Sequence, residues 1–286
     1  MPAVRQVAIV LGALGDFVLT LPLLQALCRR GPLAVFSRGP YRALLPPVLA
    51  SAPWVDTDGP VGARLFSAAA ALPPPAADLL RGAVVHVFLR GDAALASVLR
   101  DAGASAVHWH DPRPTAPPHI VQRFFERAAL APPPGLLESP AMPRSGPGGA
   151  ALWIHPGSGS RSKSLDAAAV CALARRYALA AGRPLWLSFG EADLGLVEPV
   201  RAALMQAGMA FHEVLCPSLG DLRRLLSSAA AAYIGPDTGV THLAAALGLP
   251  TTAVFRATDP AIWRPVGAVR VLDWRPGAAG GSLAAL

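Results

Sequence analysis

The chain is poor in charge. Asp, Glu, Lys and Arg make up 15% of its 286 residues, and no dense Lys/Arg block occurs. A nucleic-acid groove binder needs such a basic stripe, so that class of partner is disfavoured. Cysteine is scarce as well. Cys28, Cys171 and Cys216 lie far apart and are odd in number, which gives neither a disulfide framework nor a metal-ligand spacing. Core thiols in a reducing compartment are expected. No uninterrupted apolar run is long enough to span a bilayer. The apolar start, Val7 to Leu14, is short and runs into Gly15-Asp16, unlike a signal peptide. A Gly-x-Ser-x-Gly elbow is missing, which leaves a serine hydrolase unsupported. Gly12-Ala13-Leu14-Gly15 is an incomplete dinucleotide fingerprint, so an NAD enzyme would lack its main signature. The histidines show no zinc spacing. His108 and His110 flank Trp109 without an obvious further partner, and His86 reads as a satisfied core histidine in an apolar strand.

What is present is apolar mass. Hydrophobic residues are 53% of the chain, much of it alanine, and the length fits two ordinary domains. The formal charge is +7, carried mostly by scattered arginines. That balance suits nucleotides, phosphorylated lipids or an anionic membrane face. A cytoplasmic protein, peripheral at the inner membrane, is the expectation.

The pattern is βαβ. Val7 to Leu11 reads as a buried strand, followed by a turn and a helix carrying Phe17, Leu21, Leu24 and Leu27 that stops at Gly31-Pro32. Leu33 to Phe36 is the next strand. Ala83 to Leu89 is another, followed by helices from Asp92 to Ala102 and from His119 to Leu130. Between Ala131 and Gly149 the composition turns to proline and glycine, the best boundary in the chain. The expected domains are 1–147 and 148–286. After the boundary the pattern restarts: strand Ala150 to Ile154, a Gly/Ser-rich loop, helix Asp166 to Ala181, strand Pro184 to Phe189, helix Leu194 to Ala207. Strand Phe211 to Leu215, helix Leu219 to Ser228, a strand around Ala231 and strand Leu249 to Phe255 follow. The fold class is α/β, two Rossmann-like halves in tandem. Ligands on such sheets bind at the C-terminal strand ends, and between two domains the natural site is a cleft.

The chemistry concentrates at those strand ends. Gly235-Pro236-Asp237-Thr238-Gly239-Val240-Thr241-His242 reads as a strand end, a tight turn and the start of a helix with Thr238 at its N-cap. A helix N-terminus suits an anion, and Asp237, Thr238 and His242 surround it. A well-capped buried helix is the alternative. Asp16 follows the first strand and is either a general base or a helix-start carboxylate. The loop His155-Pro156-Gly157-Ser158-Gly159-Ser160-Arg161-Ser162-Lys163-Ser164 permits close approach of an anion, with Arg161 and Lys163 to neutralise it. It nearly matches a P-loop, but Ser162 replaces the second glycine. Glu191 and Asp193, after the strand ending at Phe189, either bond ribose hydroxyls or a base edge, or are solvated loop charges. Asp56-Thr57-Asp58 has an Asp-x-Asp metal spacing, but a polar turn is the better reading.

Taken together, these segments resemble the bacterial heptosyltransferase family, glycosyltransferase family nine. The resemblance is carried by Gly12-Ala13-Leu14-Gly15-Asp16 with Leu19 to Leu24, by His155-Pro156-Gly157-Ser158 through Lys163, and by Ser218 to Gly267. The last stretch holds Asp237 to Ala245, Pro250-Thr251, Thr258-Asp259-Pro260 and Trp263. The resemblance implies a GT-B fold, two Rossmann-like domains facing across a cleft. The N-terminal domain would take the acceptor, a glycolipid such as lipopolysaccharide core, and the C-terminal one an ADP-sugar, typically ADP-heptose. It implies an inverting reaction with no metal and no cofactor. Asp16 would deprotonate the acceptor hydroxyl. Lys163, with the helix end at Thr238-Gly239, would stabilise the leaving diphosphate. Asp237 would hold sugar hydroxyls, His242 would support the first turn, Ser158 would sit on the donor, and Glu191 or Asp193 would meet the nucleoside. Gly15 and Arg90 fall on the acceptor side.

The chain departs from the family in three places. His86-Val87-Phe88-Leu89-Arg90 stands where an Asp-Leu-Gln-like segment is usual. Arg256-Ala257 stands where the family has Gly-Pro, and Arg256 either binds an extra anionic group or lies on the surface. The family's terminal helix looks shortened at Gly280 to Leu286. The alternatives are a non-catalytic nucleotide-sugar-binding module and a transferase using another donor. A P-loop-like phosphotransferase is disfavoured by Ser162.

Overall fold

The apolar runs become two separate sheets in which every strand pairing is parallel. The computed structural model describes residues 4–67, 71–146 and 148–277. The chain divides into two units, Met1–Pro134 and Gly135–Leu286.

The first unit holds β1 (Gln6–Val10), α1 (Leu14–Cys28), β2 (Leu33–Ser37), β3 (Trp54–Asp56), α2 (Pro60–Leu65), α3 (Pro74–Leu80), β4 (Val84–Phe88), α4 (Ala93–Asp101), β5 (Ala106–Trp109) and α5 (Ile120–Arg127). Its strand order is β3-β2-β1-β4-β5. The central strands β1, β2 and β4 are buried on both faces, so they are mostly apolar, with His86 a buried polar exception in the middle of β4. Helix α1 is apolar nearly all round, and its Phe17 to Leu21 run is wholly buried.

The second unit holds β6 (Ala151–Ile154), α6 (Ala167–Tyr177), β7 (Leu185–Phe189), α7 (Val197–Gln206), β8 (His212–Leu215), α8 (Leu219–Ala229), β9 (Ala230–Pro236), α9 (Gly239–Ala246), β10 (Thr251–Phe255), α10 (Pro260–Trp263) and β11 (Val269–Asp273). Its order is β11-β10-β9-β6-β7-β8. Read from its first strand outward, each sheet reverses direction of growth once, at β1/β4 and at β6/β9. In doubly wound sheets that reversal opens a crevice beyond the carboxyl ends of the two strands.

Several local expectations shift. The stretch read as one helix from Leu194 splits into a 3-10 segment Glu191–Leu196 and α7. The helix read to Ala181 ends at Tyr177 and closes through a 3-10 turn onto Gly182, whose φ of 60° is left-handed. Strands β3, β5 and β11 were not anticipated. The units part at the front of the Pro/Gly-rich stretch instead of at 147/148, because that stretch bonds into the second unit. Met142 and Arg144 donate backbone N–H groups to the Ala246 and Leu247 carbonyls, and the Arg144 guanidinium reaches the Ala230 carbonyl. The segment expected to carry a shortened terminal helix, 280–286, lies outside the described residues. Among the described residues no helix is long and apolar enough to cross a membrane.

Candidate functional site

In the second unit the reversal point is bridged by an ion pair. The loop after β6 carries Lys163, and the turn after β9 carries Asp237. They are 74 residues apart in sequence, yet Lys163 Nζ lies 2.8 Å from Asp237 Oδ2. Lys163 is the only lysine in the chain. Thr258, after β10, donates its hydroxyl to the same oxygen at 2.6 Å. His242 Nε2 lies 3.3 Å from Oδ1. A carboxylate only accepts, so that nitrogen carries the hydrogen. Burial pushes the Asp237 carboxyl up, but His242, Lys163 and Thr258 outweigh it and hold it well below the ordinary 3.8. Asp237 is therefore an ionised carboxylate, 7% exposed, with both oxygens engaged.

Helix α9 starts beside it. Thr238 is the N-cap, but its side chain makes no capping hydrogen bond among the described residues. Among the described residues the amide end, at the positive pole of the helix dipole, is therefore not closed by its N-cap side chain. The turn is shaped by glycine: a Cβ on Gly235 would sit 2.5 Å from Tyr233 Oη and 2.8 Å from Thr241 Oγ1. Those two hydroxyls bond each other, and Thr241 closes on the Pro236 carbonyl. His242 Nδ1 is buried without a hydrogen-bond partner among the described residues.

The loop before Lys163 is held by its own serines: the Ser160 and Ser162 hydroxyls lie 2.8 Å apart, and the Lys163 and Ser164 amides bond the Ser160 carbonyl. Helix α6 begins only at Ala167, capped by Asp166. A P-loop runs straight into its helix at Lys-Ser, so the structure departs from that motif as the sequence does. Ser158 is half-buried and Arg161 exposed. Arg256, half-buried after β10, donates to the Ser164 carbonyl. The two acids after β7 separate: Glu191 is exposed, whereas Asp193 is 6% exposed and accepts from the Gly190 amide.

In the first unit the loops after β1 and β4 flank the reversal. Asp16 lies in the first turn of α1, one residue after Gly15. Its carboxylate accepts from the Ala13 amide at 2.9 Å and closes the helix end. A Cβ on Gly12 would stand 2.5 Å from that carboxylate oxygen. Tyr41 Oη reaches the Gly12 carbonyl at 3.4 Å and its ring packs on Phe17. Arg90, after β4, pairs with Asp111 at 3.3 Å on an exposed surface. Asp56 and Asp58 do not converge on a shared point: Asp56 accepts from the Gly39 and Asp58 amides, and Asp58 pairs with Arg38. No group of three or more His, Cys, Asp or Glu among the described residues is placed to hold a metal ion.

Sequence reading missed three things. Thr258 was seen as part of a motif, not as a ligand of Asp237. His155 was seen only as a loop start, yet it is buried against Ser188 and Asp193. His108 and His110 do find a partner: both stack on His86, whose Nδ1 lies 3.2 Å from His110 Nε2. The paired register His86↔His108 puts all three on one sheet face, a signal readable only once β5 is recognised as a strand.

Solved structures share this architecture. A glycosyl transferase family 9 protein from Veillonella parvula DSM 2008 superposes with a TM-score of 0.73 at 16% identity, covering 95% of this chain and 86% of that one. The E. coli heptosyltransferase WaaC with ADP gives 0.67 at 18% identity over 99% and 96%. E. coli ADP-heptose lps heptosyltransferase II gives 0.70 at 16% over 93% and 89%. No curated protein sequence matches. The fold, two parallel α/β domains in tandem, is that of GT-B glycosyltransferases. Residues 147–274 match the model of Glycosyltransferase family 9 (heptosyltransferase). The second unit thus carries a domain of that family.

Proposed function

We propose that the protein is an inverting, metal-independent glycosyltransferase. It moves a sugar, heptose by analogy with its relatives, from an ADP-sugar to a cell-envelope glycolipid such as lipopolysaccharide core. The observation that carries this reading is the Lys163–Asp237 pair across the β6/β9 reversal, beside the uncapped end of α9. A diphosphate placed there meets backbone N–H groups and the helix dipole. The Lys163–Asp237 pair is formally neutral, so the positive balance comes from α9, Arg161 and Arg256. As the bond to the anomeric carbon breaks, charge grows on the diphosphate, and Lys163 and the Thr238-Gly239 helix end stabilise it. Asp237, already ionised, accepts from sugar hydroxyls, with His242 fixing its orientation. Ser158 bonds the donor, and the exposed Glu191 meets the nucleoside.

In the first unit Asp16 takes the proton from the acceptor hydroxyl as that oxygen attacks from the face opposite the diphosphate. Gly15 leaves room for the acceptor, and Arg90 meets an anionic group on it. The basic balance fits a phosphorylated acceptor at the cytoplasmic face of the inner membrane. Calorimetry tests the donor half: ADP and ADP-sugars should bind, and UDP or GDP should bind at least about tenfold more weakly. A preference for UDP or GDP would keep the fold and overturn the donor assignment.

A further inference from the structure

We propose that Asp193 is the positioning residue of the anion loop 156–164 and does not itself touch ligand. Its part in donor binding rests on the function proposed above. The geometry points to a buried relay. Trp153 Nε1 lies 2.8 Å from Ser188 Oγ, and His155 Nδ1 lies 3.0 Å from the same oxygen. His155 Nε2 makes a longer contact of 3.5 Å to Asp193 Oδ2. Trp153, His155 and Ser188 are all under 5% exposed.

Donor counting fixes the direction of this chain. An indole nitrogen only donates, so Ser188 Oγ accepts from Trp153. The Ser188 hydroxyl hydrogen is then free to go to His155 Nδ1. His155 must carry its own hydrogen on Nε2, facing a carboxylate that only accepts. Burial lowers the His155 pKa, which fits the neutral ring. The arrangement has the composition of a Ser-His-Asp triad but cannot act as one. Its serine is buried and occupied by the indole, and no substrate reaches it.

The relay ends where the anion loop begins. His155 and Gly157 are the first turns of that loop, and Gly157 lies directly on the Asp193 carboxylate. A Cβ on Gly157 would fall 1.9 Å from Asp193 Cγ and about as close to both oxygens. The same carboxylate accepts from the Gly190 amide at 3.0 Å and so pins the 3-10 segment after β7. One buried carboxylate therefore ties the loop after β6 to the loop after β7. Lys163 and Ser158 inherit their placement from it. Glu191, exposed on the same segment, is left as the acid available to a nucleoside.

The test uses the full chain without ligand, by hydrogen exchange. Asp193→Ala should speed exchange of the Ser160, Lys163, Ser164 and Leu165 amides at least about tenfold, with the first unit unchanged. Gly157→Ala, which intrudes on the carboxylate, should give the same pattern. Asp193→Asn still offers one oxygen to both donors and should stay near wild type. If Asp193→Ala does not fold, the other two variants decide. Unchanged loop exchange in Gly157→Ala, or Asp193→Asn as loose as Gly157→Ala, would overturn the proposal. Binding gives a second readout. Gly157→Ala and Asp193→Ala should weaken ADP about tenfold and leave adenosine unchanged; equal loss of adenosine would make Asp193 a nucleoside contact and sink the positioning role. A wild-type chain that binds no ADP would refute the donor reading, and the exchange result would still decide the relay.

Discussion

Both units use the same winding and the same reversal in strand order, yet a helix that starts beside each reversal, α1 in one unit and α9 in the other, begins in opposite ways. At α1 the helix end is closed by a carboxylate, Asp16, bonded back to the Ala13 amide. At α9, across the second unit's reversal, the N-cap Thr238 contributes no side-chain bond. A lysine and an aspartate stand at its mouth instead. One reversal point presents a negative group held in place, and the other, among the described residues, a helix end that its N-cap side chain leaves open. Under the proposed function the first group serves as the base and the second helix end takes the anion; the local difference lies in which residue fills the N3 or N-cap position.

The sharpest way to break this comparison is Asp16→Asn. The amide oxygen still accepts from Ala13, so the helix end stays closed while the base is lost. Transfer should fall by about 10²–10⁴ in kcat, with ADP affinity unchanged by calorimetry. Lys163→Met attacks the other half. It should lower kcat/KM by about 10²-fold, and Lys163→Arg should recover part of the loss. Removing Lys163 also lifts the Asp237 carboxyl toward its ordinary value. Because Asp237 sits below 3.8 in the fold, its stabilisation is complete above that value and is lost as pH falls further below it. The methionine variant should show a weaker acid dependence there.

Acid also acts on the fold at milder pH. Burial drives the His86 pKa down to about 4 and that of His110 to about 3, with His108 adding to both and Arg127 to His110. Both rings are neutral in the fold but bind protons below 6.5 once unfolded. Stability is therefore full above 6.5 and falls as pH drops toward 4, by about 1.4 kcal/mol per pH unit for each ring. His155 acts with the same sign in the second unit. Exchange rates in β4 and β5 should rise over that window, and His110→Phe should remove roughly half of the slope. The smallest effect is expected from Gly12→Ala. Its Cβ would displace Asp16 from the Ala13 amide, costing about 1 kcal/mol of capping, read as a lowered Tm.

The central strands of both sheets were legible because burial on two faces forces apolar runs, as in Val7 to Val10 and Leu185 to Leu187. The strands that escaped, β3, β5 and β11, are all at sheet edges. They bury one face or less, and their polar residues, such as His108 and Arg270, break the run. The site was legible as separate loop motifs, since Asp237 and Lys163 sit where turns leave polar groups at strand ends. Their pairing was not, because it depends on β6 and β9 being neighbours. The relay through Trp153 and Ser188 was hidden for a different reason: both lie inside strands whose apolar neighbours mark them as core.

The most direct measurement exploits the solitary lysine. An amine-directed reagent can modify only Lys163 and the chain terminus, so mass analysis of the peptide holding residue 163 reports on one site. ADP should slow modification of Lys163 in proportion to its occupancy, and protein modified there should lose ADP affinity. Saturating ADP that binds but leaves the labelling rate unchanged would place the diphosphate elsewhere and contradict the account.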